Sequence, residues 1–440
     1  MIMWRAEESK EAYEELKKKL MEGLRENEKI ESILKALKLF NSRKDRIFKE
    51  VDDLEELREK IRRAKEEVIE NLDEYIEKAV KKMEENLCKV YLAKDAEEAR
   101  RIVRGIVGDA KLVVKSKSNA CREIGIVDYL ESQGIKVVET DLADRVVQLL
   151  GEEECHPVVP AIHISKEKWS EAFSKETGRD VPPDAQAITD ASREGVRRAI
   201  MSAEVGITGA NAIVAETGTI ITVENEGNIS LVSRVPPKHI VIAGINKIVP
   251  TLEDGLNIAE ATTLFGTGQR FGAYVSFITG PSRTVDVGLE TTIGLHGAQE
   301  VHVVLIDNGR RDAIRDGMKE MLYCLNCGSC LASCPIYMSI GEKYSCGYFG
   351  GIGLSFGAYI FGAQRAFVDG LGFCTDCGAC SEKCPAKISS NDLVREIRRR
   401  AWERFGLLLP PHKKIRDAIL ETGNPFGEPP EKRGEWMKSN

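Results

Sequence analysis

The chain has 440 residues, 42% of them hydrophobic and 30% charged, with a formal net charge of −7. At roughly 150 residues per domain this length implies several domains, and the mildly acidic balance, with no basic stripe, gives no reason to expect a nucleic-acid partner. No run approaches the roughly 18 apolar residues of a transmembrane helix. Acids and lysines begin at once in MIMWRAEESKEAYEELKKKL, so no signal peptide is expected. A cytoplasmic location follows, with membrane contact only peripheral and through partners.

Residues 1–85 read as a helical N-terminal extension. Leu57, Ile61, Ala64, Val68, Leu72, Ile76, Val80, Met83 and Leu87 recur at steps of three and four, which predicts one long amphipathic helix. It is read as a cap packed on the next domain or on a partner. Over 86–310 short β-branched segments (CKVYLA, KLVVKS, KVVETD, HIVIAGI, VHVVLID) alternate with helical ones. That alternation predicts an α/β domain with a largely parallel sheet. Residues 311–400 carry helical spacing around two cysteine runs, and 401–440 read as a helix followed by an extended arm.

The chain has 12 cysteines. A long chain without an export signal is not a disulfide scaffold, so the thiols are expected reduced and free to bind metal. Cys324, Cys327, Cys330 and Cys334 stand in CLNCGSCLASCP; Cys374, Cys377, Cys380 and Cys384 stand in CTDCGACSEKCP. Both runs are C-x2-C-x2-C-x3-C-P. Three thiolates two residues apart can wrap three corners of a cubane, and Gly328 and Gly378 let the backbone turn closely. In two-cluster ferredoxins the fourth cysteine of each run serves the other cluster. The expected sets are therefore Cys324, Cys327, Cys330 and Cys384 for one 4Fe–4S cluster, and Cys374, Cys377, Cys380 and Cys334 for the second. The competing reading is zinc, which usually takes two separated C-x2-C pairs rather than three cysteines in succession. The apolar, glycine-rich gap between the runs favours a helical ferredoxin domain, with Cys346 as a small buried hydrophobe.

The α/β region lacks a complete nucleotide motif; FGTGQRFG, with Gly266, Gly268 and Gly272, reads as a loop. Polar residues do gather at strand ends, where open α/β sheets bind ligands. Lys115, Thr208, Asn211, Glu216, Thr217, Gly218, Thr219, Glu224 and Thr279 are the candidates for an anion pocket. The alternative is ordinary turn chemistry. Glu216, Glu224 and His239 are the candidate acids or bases should the pocket be an enzyme site, although a lone histidine at a strand start is more often structural.

The segments KSKS, ETDLADRVVQLLGEEECHPVVPAIHIS, VGITGANAIVAETGTIITVENEGN, PPKHIVIAGINKIVPTLED and SFITGPSRTVDV resemble the LUD domain of lactate-utilisation proteins. With the two cysteine runs following in the same order, the chain is similar to the iron–sulfur subunits of that system over about residues 50 to 400. The resemblance implies a sugar-phosphate isomerase/CoA-transferase-like α/β fold and a part in oxidising L-lactate to pyruvate. It also implies two partners, a cysteine-rich (CCG-domain) subunit and a second LUD-domain subunit. The tail TGNPFGEPPEKRGEW departs from this and looks like the lead-in to the cysteine-rich module of heterodisulfide-reductase-like subunits.

Lactate oxidation releases two electrons, whereas each cluster takes one and accepts no hydride. The chain is therefore expected to be an electron-transfer subunit, with the substrate site on a partner. Alternatives are a heterodisulfide-reductase-like subunit serving another redox substrate, a LUD pocket acting on a small carboxylate or acyl substrate, and a LUD scaffold in which only the clusters work. A flavin-type dehydrogenase is a further conceivable partner.

Overall fold

The computed structural model describes residues 6–432 and 434. Four helices open the chain: α1 (Ala6–Gly23), α2 (Asn27–Ile47), α3 (Leu54–Glu70) and α4 (Leu72–Glu85). The single long helix expected from Leu54 onward is instead α3 and α4. Asn71 breaks it, with φ −120° and ψ 39°, and its side-chain amide donates to the Glu67 carbonyl at 3.0 Å. Asparagine favours such local bonds over helix continuation. The apolar spacing survives because both helices bury the same stripe: Leu57, Ile61 and Val68 on α3, Ile76, Ala79 and Met83 on α4.

Twelve strands follow among the described residues. The first four are β1 (Lys89–Ala93), β2 (Leu112–Lys115), β3 (Lys136–Glu139) and β4 (Val205–Thr208). Next come β5 (Ala212–Val214), β6 (Thr219–Glu224), β7 (Lys238–Gly244) and β8 (Ile248–Val249). The last four are β9 (Tyr274–Ile278), β10 (Arg283–Thr284), β11 (Thr292–Ile293) and β12 (Glu300–Ile306). Six form one sheet in the order β1-β12-β7-β4-β2-β3, parallel throughout, as the alternation of strands and helices predicts. Its central strands are buried on both faces, which is why HIVIAG and VHVVLI read as continuous apolar runs. A mixed sheet, β8-β5-β6-β9, stands beside it.

The cysteine region is built of short helical turns, as expected. GGIGLSFGAYI forms a buried helix, Gly350–Ile360. A Cβ on Gly357 would lie 2.6 Å from Cys346 Sγ, so glycine there lets the helix close onto Cys346, which is fully buried. Helix Pro410–Thr422 carries exposed Ile415, Ile419 and Leu420. The far end of the expected arm, residues 435–440, lies outside the described residues.

The N-terminal helices are not a separate cap. They pack on the α/β domain and on the cysteine region at once. The Arg58 guanidinium donates to the Cys384 carbonyl at 3.1 Å, Arg62 to the Lys387 carbonyl at 3.1 Å, and the Asn41 amide to the Ala332 carbonyl at 3.0 Å. Lys19 pairs with Asp369 and Lys29 with Glu342.

Candidate metal centre

The two cysteine runs fold as near copies. Asn326 and Asp376 both take positive φ, 61° and 57°, and Gly328 and Gly378 share φ 76°. These left-handed residues curl each run around its own thiols. The Asn326 N–H points at Cys324 Sγ at 3.4 Å, and the Asp376 N–H at Cys374 Sγ at 3.5 Å. The last cysteine of each run receives backbone N–H groups from beyond its proline: Ile336 and Tyr337 for Cys334, Ala386 and Ile388 for Cys384.

The fourth cysteines cross. Cys384 lies within electrostatic reach of Cys324, Cys327 and Cys330. Cys334 lies beside Cys374 and Cys380, and it lines one small cavity with Cys374, Cys377 and Cys380. Cys330 lines that cavity too and feels Cys380, so the quartets adjoin there. Burial pushes the Cys327 thiol up to about 11 and the Cys384 thiol up to about 12. Thiols this weakly acidic keep their protons unless a metal draws them off. Among the described residues no three His, Cys, Asp or Glu side chains are grouped to hold a single metal ion. Two all-thiol quartets ringed by N–H donors suit polynuclear iron–sulfur groups.

The surroundings of the quartets differ. Three lysines from separate elements approach the first: Lys44 from α2 near Cys327 and Cys330, Lys65 from α3 near Cys324, and Lys247 after β7 near Cys324 and Cys327. Burial depresses all three, and Lys247 pushes Lys65 further, down to about 7. His156 packs against Gly328. Burial, Lys44 and Lys117 hold it near 3, neutral, with Nδ1 accepting the Val158 N–H at 3.1 Å. At the second quartet Cys377 is exposed.

A cavity of about 460 Å³ opens beyond the ends of β4 and β7, and Cys324, Leu325 and Asn326 form part of its wall. Cys324 alone of the eight motif cysteines lines it, so it lies beside the first quartet rather than at it. Of the nine pocket candidates, Asn211 and Glu224 line it and the other seven do not. Lys115 is held by Glu139 at 2.7 Å. Thr208 bonds the buried His239 at 2.8 Å, and burial, with Arg234 and His302, drives that imidazole down to about 3. Glu216 caps helix Leu252–Thr267, accepting the Leu252 N–H at 2.7 Å. Thr217, Thr219 and Thr279 join hydroxyls at 2.8 and 2.9 Å, and Gly218 lies against the backbone of α4. Glu224 itself accepts the Ser230 N–H at 2.8 Å.

Sequence reasoning missed Lys44, Lys65, Lys247, His156 and Arg310 as neighbours of the site. The lysines sit in ordinary amphipathic or loop contexts, and no local signal marks them as buried. Arg310 forms a bidentate pair with Glu123, at 2.7 and 2.9 Å, and stacks over Phe356 at 5.0 Å. Asn308 and Tyr348 donate to the same carboxylate. This network ties the α/β domain to the cysteine region at the back of the cavity.

A parallel α/β domain joined to a crossed pair of four-cysteine loops defines an iron–sulfur protein built for electron transfer. The family description "LUD domain" matches residues 76–306, and "4Fe-4S dicluster domain" matches residues 320–388. The chain belongs to the LUD-domain family, with a dicluster module. It is 33% identical over 325 residues to the "Uncharacterized electron transport protein YkgF" of Escherichia coli, covering 73% of this chain and 67% of that protein. It is 33% identical over 340 residues to "Lactate utilization protein B" of Shouchella clausii, covering 76% and 70%. A solved duf162 family protein from Deinococcus radiodurans aligns at 15% identity and TM-score 0.27, covering 53% of this chain and 97% of that one. That likeness is too loose to bear on fold or function. No helix among the described residues is long and apolar enough to cross a membrane.

Proposed function

We propose that this chain is the electron-transfer subunit of a complex that oxidises L-lactate, or a related 2-hydroxy acid, to the 2-oxo acid. The observation that carries the reading is the placement of two thiol quartets in series. One, with Cys327 buried, lies among lysines beside the large cavity, and the other has an exposed cysteine. Cys324, Cys327, Cys330 and Cys384 would hold one 4Fe–4S cluster, and Cys374, Cys377, Cys380 and Cys334 the other. When bound, the two clusters supply one-electron transfer between a partner's active site and an acceptor. The protein's own residues set the environment. Lys44, Lys65 and Lys247 offset negative charge at the first quartet, while Asn326 and Asp376 aim N–H groups at sulfur.

The relatives named for lactate utilisation support this substrate class. The expected partners are a cysteine-rich CCG-domain subunit and a second LUD-domain subunit. Purified chain given L-lactate and a dye acceptor should be inactive alone and active once those subunits are added. Alanine at Cys327 or Cys377 should abolish the reconstituted turnover. Turnover by the lone chain, or full activity of both cysteine variants in the complex, refutes the relay.

A further inference from the structure

One buried tyrosine gives its hydroxyl to sulfur. Tyr344 stands between the two cysteine runs with 1% of its surface exposed, and it lines the small cavity shared by Cys334, Cys374, Cys377 and Cys380. Its hydroxyl donates to Cys374 Sγ, and Cys334 is the other motif thiol within electrostatic reach. Under crossed ligation those two cysteines, one from each run, serve the same cluster. Burial, with both thiols, pushes the phenol well above its ordinary value, so it keeps its proton and stays a donor.

The placement is fixed from several sides. The Tyr344 N–H donates to the Gly341 carbonyl at 3.2 Å, and the Tyr344 carbonyl accepts the Gly350 N–H at 3.0 Å. A Cβ on Gly370 would meet the ring at 3.0 Å, and one on Gly351 would lie 3.8 Å from the hydroxyl, so a glycine on either side leaves a slot of ring width. The segment leading into Cys374 is held in turn by Arg398, whose guanidinium donates to the Leu371 carbonyl at 2.9 Å and to the Gly372 carbonyl. Other tyrosines of this region direct their hydroxyls to oxygen: Tyr337 to the Cys155 carbonyl, Tyr348 to Glu123 and Tyr359 to Asp316. Ser381 also reaches Cys380, but its hydrogen goes to Asn391 Oδ1 at 2.8 Å.

A hydrogen bond to a ligand sulfur strengthens as negative charge gathers on the cluster, so it favours the reduced state. We propose that Tyr344 tunes the second cluster of the relay: its hydroxyl, donating to the Cys374 thiolate, raises that cluster's reduction potential and leaves the first unmoved. The step it biases is a one-electron reduction in which no bond is made or broken and the phenol keeps its proton. This rests on the reading of the crossed quartets as two cluster sites, and goes beyond it by naming a side chain that sets one of the two potentials.

The test is an anaerobic potentiometric titration of full-length, cluster-loaded chain with dithionite, followed by electron paramagnetic resonance. The signal missing from Cys377→Ala identifies the second cluster. Tyr344→Phe keeps the ring and removes the hydroxyl. Its second cluster should be harder to reduce by about threefold to tenfold in the equilibrium constant, tenfold being about 59 mV for one electron, with iron content and the first potential unchanged. Should Tyr344→Phe lose iron, wild-type chain grown with 3-fluorotyrosine decides: the fluorinated phenol is the stronger donor, and the second cluster should become easier to reduce. An unmoved second potential in iron-replete Tyr344→Phe, a rise instead of a fall, an equal shift in both clusters, or no response to fluorotyrosine overturns the assignment. Two normal clusters with an unmoved second potential sink this role alone, whereas a chain without two reducible clusters sinks the relay reading as well.

Discussion

Glu123 offers the sharpest test of whether the α/β domain and the cysteine region are one mechanical unit. Its side chain is wholly buried, and Arg310 opposite is 3% exposed. The carboxylate accepts two bonds from Arg310, one from Asn308 at 2.8 Å and one from the Tyr348 hydroxyl. Glu123→Ala leaves a guanidinium buried with no counter-charge, which costs about 3–5 kcal/mol. Against a typical domain stability of about 5–15 kcal/mol, that is a third or more. Tyr348→Phe removes one bond to a charged acceptor and should cost about 1.5–3 kcal/mol. Arg310→Met added to Glu123→Ala removes the stranded cation and should recover part of the loss, so the double variant is less damaged than the sum of the singles. Urea unfolding followed by circular dichroism, with limited proteolysis of the segment between Arg310 and Cys324, measures both effects. A loss below about 1 kcal/mol in Glu123→Ala, or strict additivity in the double variant, refutes the claim that this pair anchors the network through which Tyr348 and Phe356 hold the cysteine region to the α/β domain.

The same carboxylate predicts a pH dependence. Burial alone would raise its pKa, but Arg310 and the hydrogen bonds hold it below the usual carboxylate range. A depressed folded value means the stabilisation is present above the unfolded value of about 4.3 and is lost as pH falls through the folded one. Unfolding curves recorded from neutral pH into acid should therefore fall less steeply for Glu123→Ala; parallel curves would count against it. Crossed ligation predicts that Cys384→Ala and Cys324→Ala lose the same cluster and share one spectrum, with iron falling to about half. If Cys384→Ala instead matches Cys374→Ala by electron paramagnetic resonance, each run serves its own cluster. Lys65→Met and Lys44→Met should make the first cluster's midpoint potential more negative by on the order of 50 mV, the one-electron equivalent of about 1 kcal/mol. The second cluster should hardly move, and equal shifts in both would show that the lysines act only through the overall charge.

What was legible in the sequence was local. The cysteine runs carry their geometry in their spacing, and the structure repeats it down to the left-handed residue before the second cysteine, Asn326 or Asp376. The parallel sheet was legible because strands buried on both faces must be apolar end to end. Little of the pocket was legible: two of nine candidates line it. Gly-Thr segments such as AETGT mark tight turns, and here those turns pack on α4 rather than face the cavity. Lys247 became visible as a neighbour of the thiols only once the sheet and the cysteine loops were brought together, since nothing within a few residues of it shows what lies across the space. The helical extension was legible as amphipathic, but helical spacing cannot say which of two surfaces the stripe will cover. In the structure it covers both.

That double coverage bears on how the protein is made. Arg58 and the Cys384 carbonyl it grips are 326 residues apart in the chain, so α3 has its α/β contacts before the last cysteine loop is made and gains the remainder only afterwards. Until then Lys44 and Lys65 have no thiols to face, and the α/β sheet, whose strand β12 ends at Ile306, can already be complete. A lesion in the last cysteine loop is therefore felt at α3 as well, through the carbonyls that Arg58 and Arg62 hold.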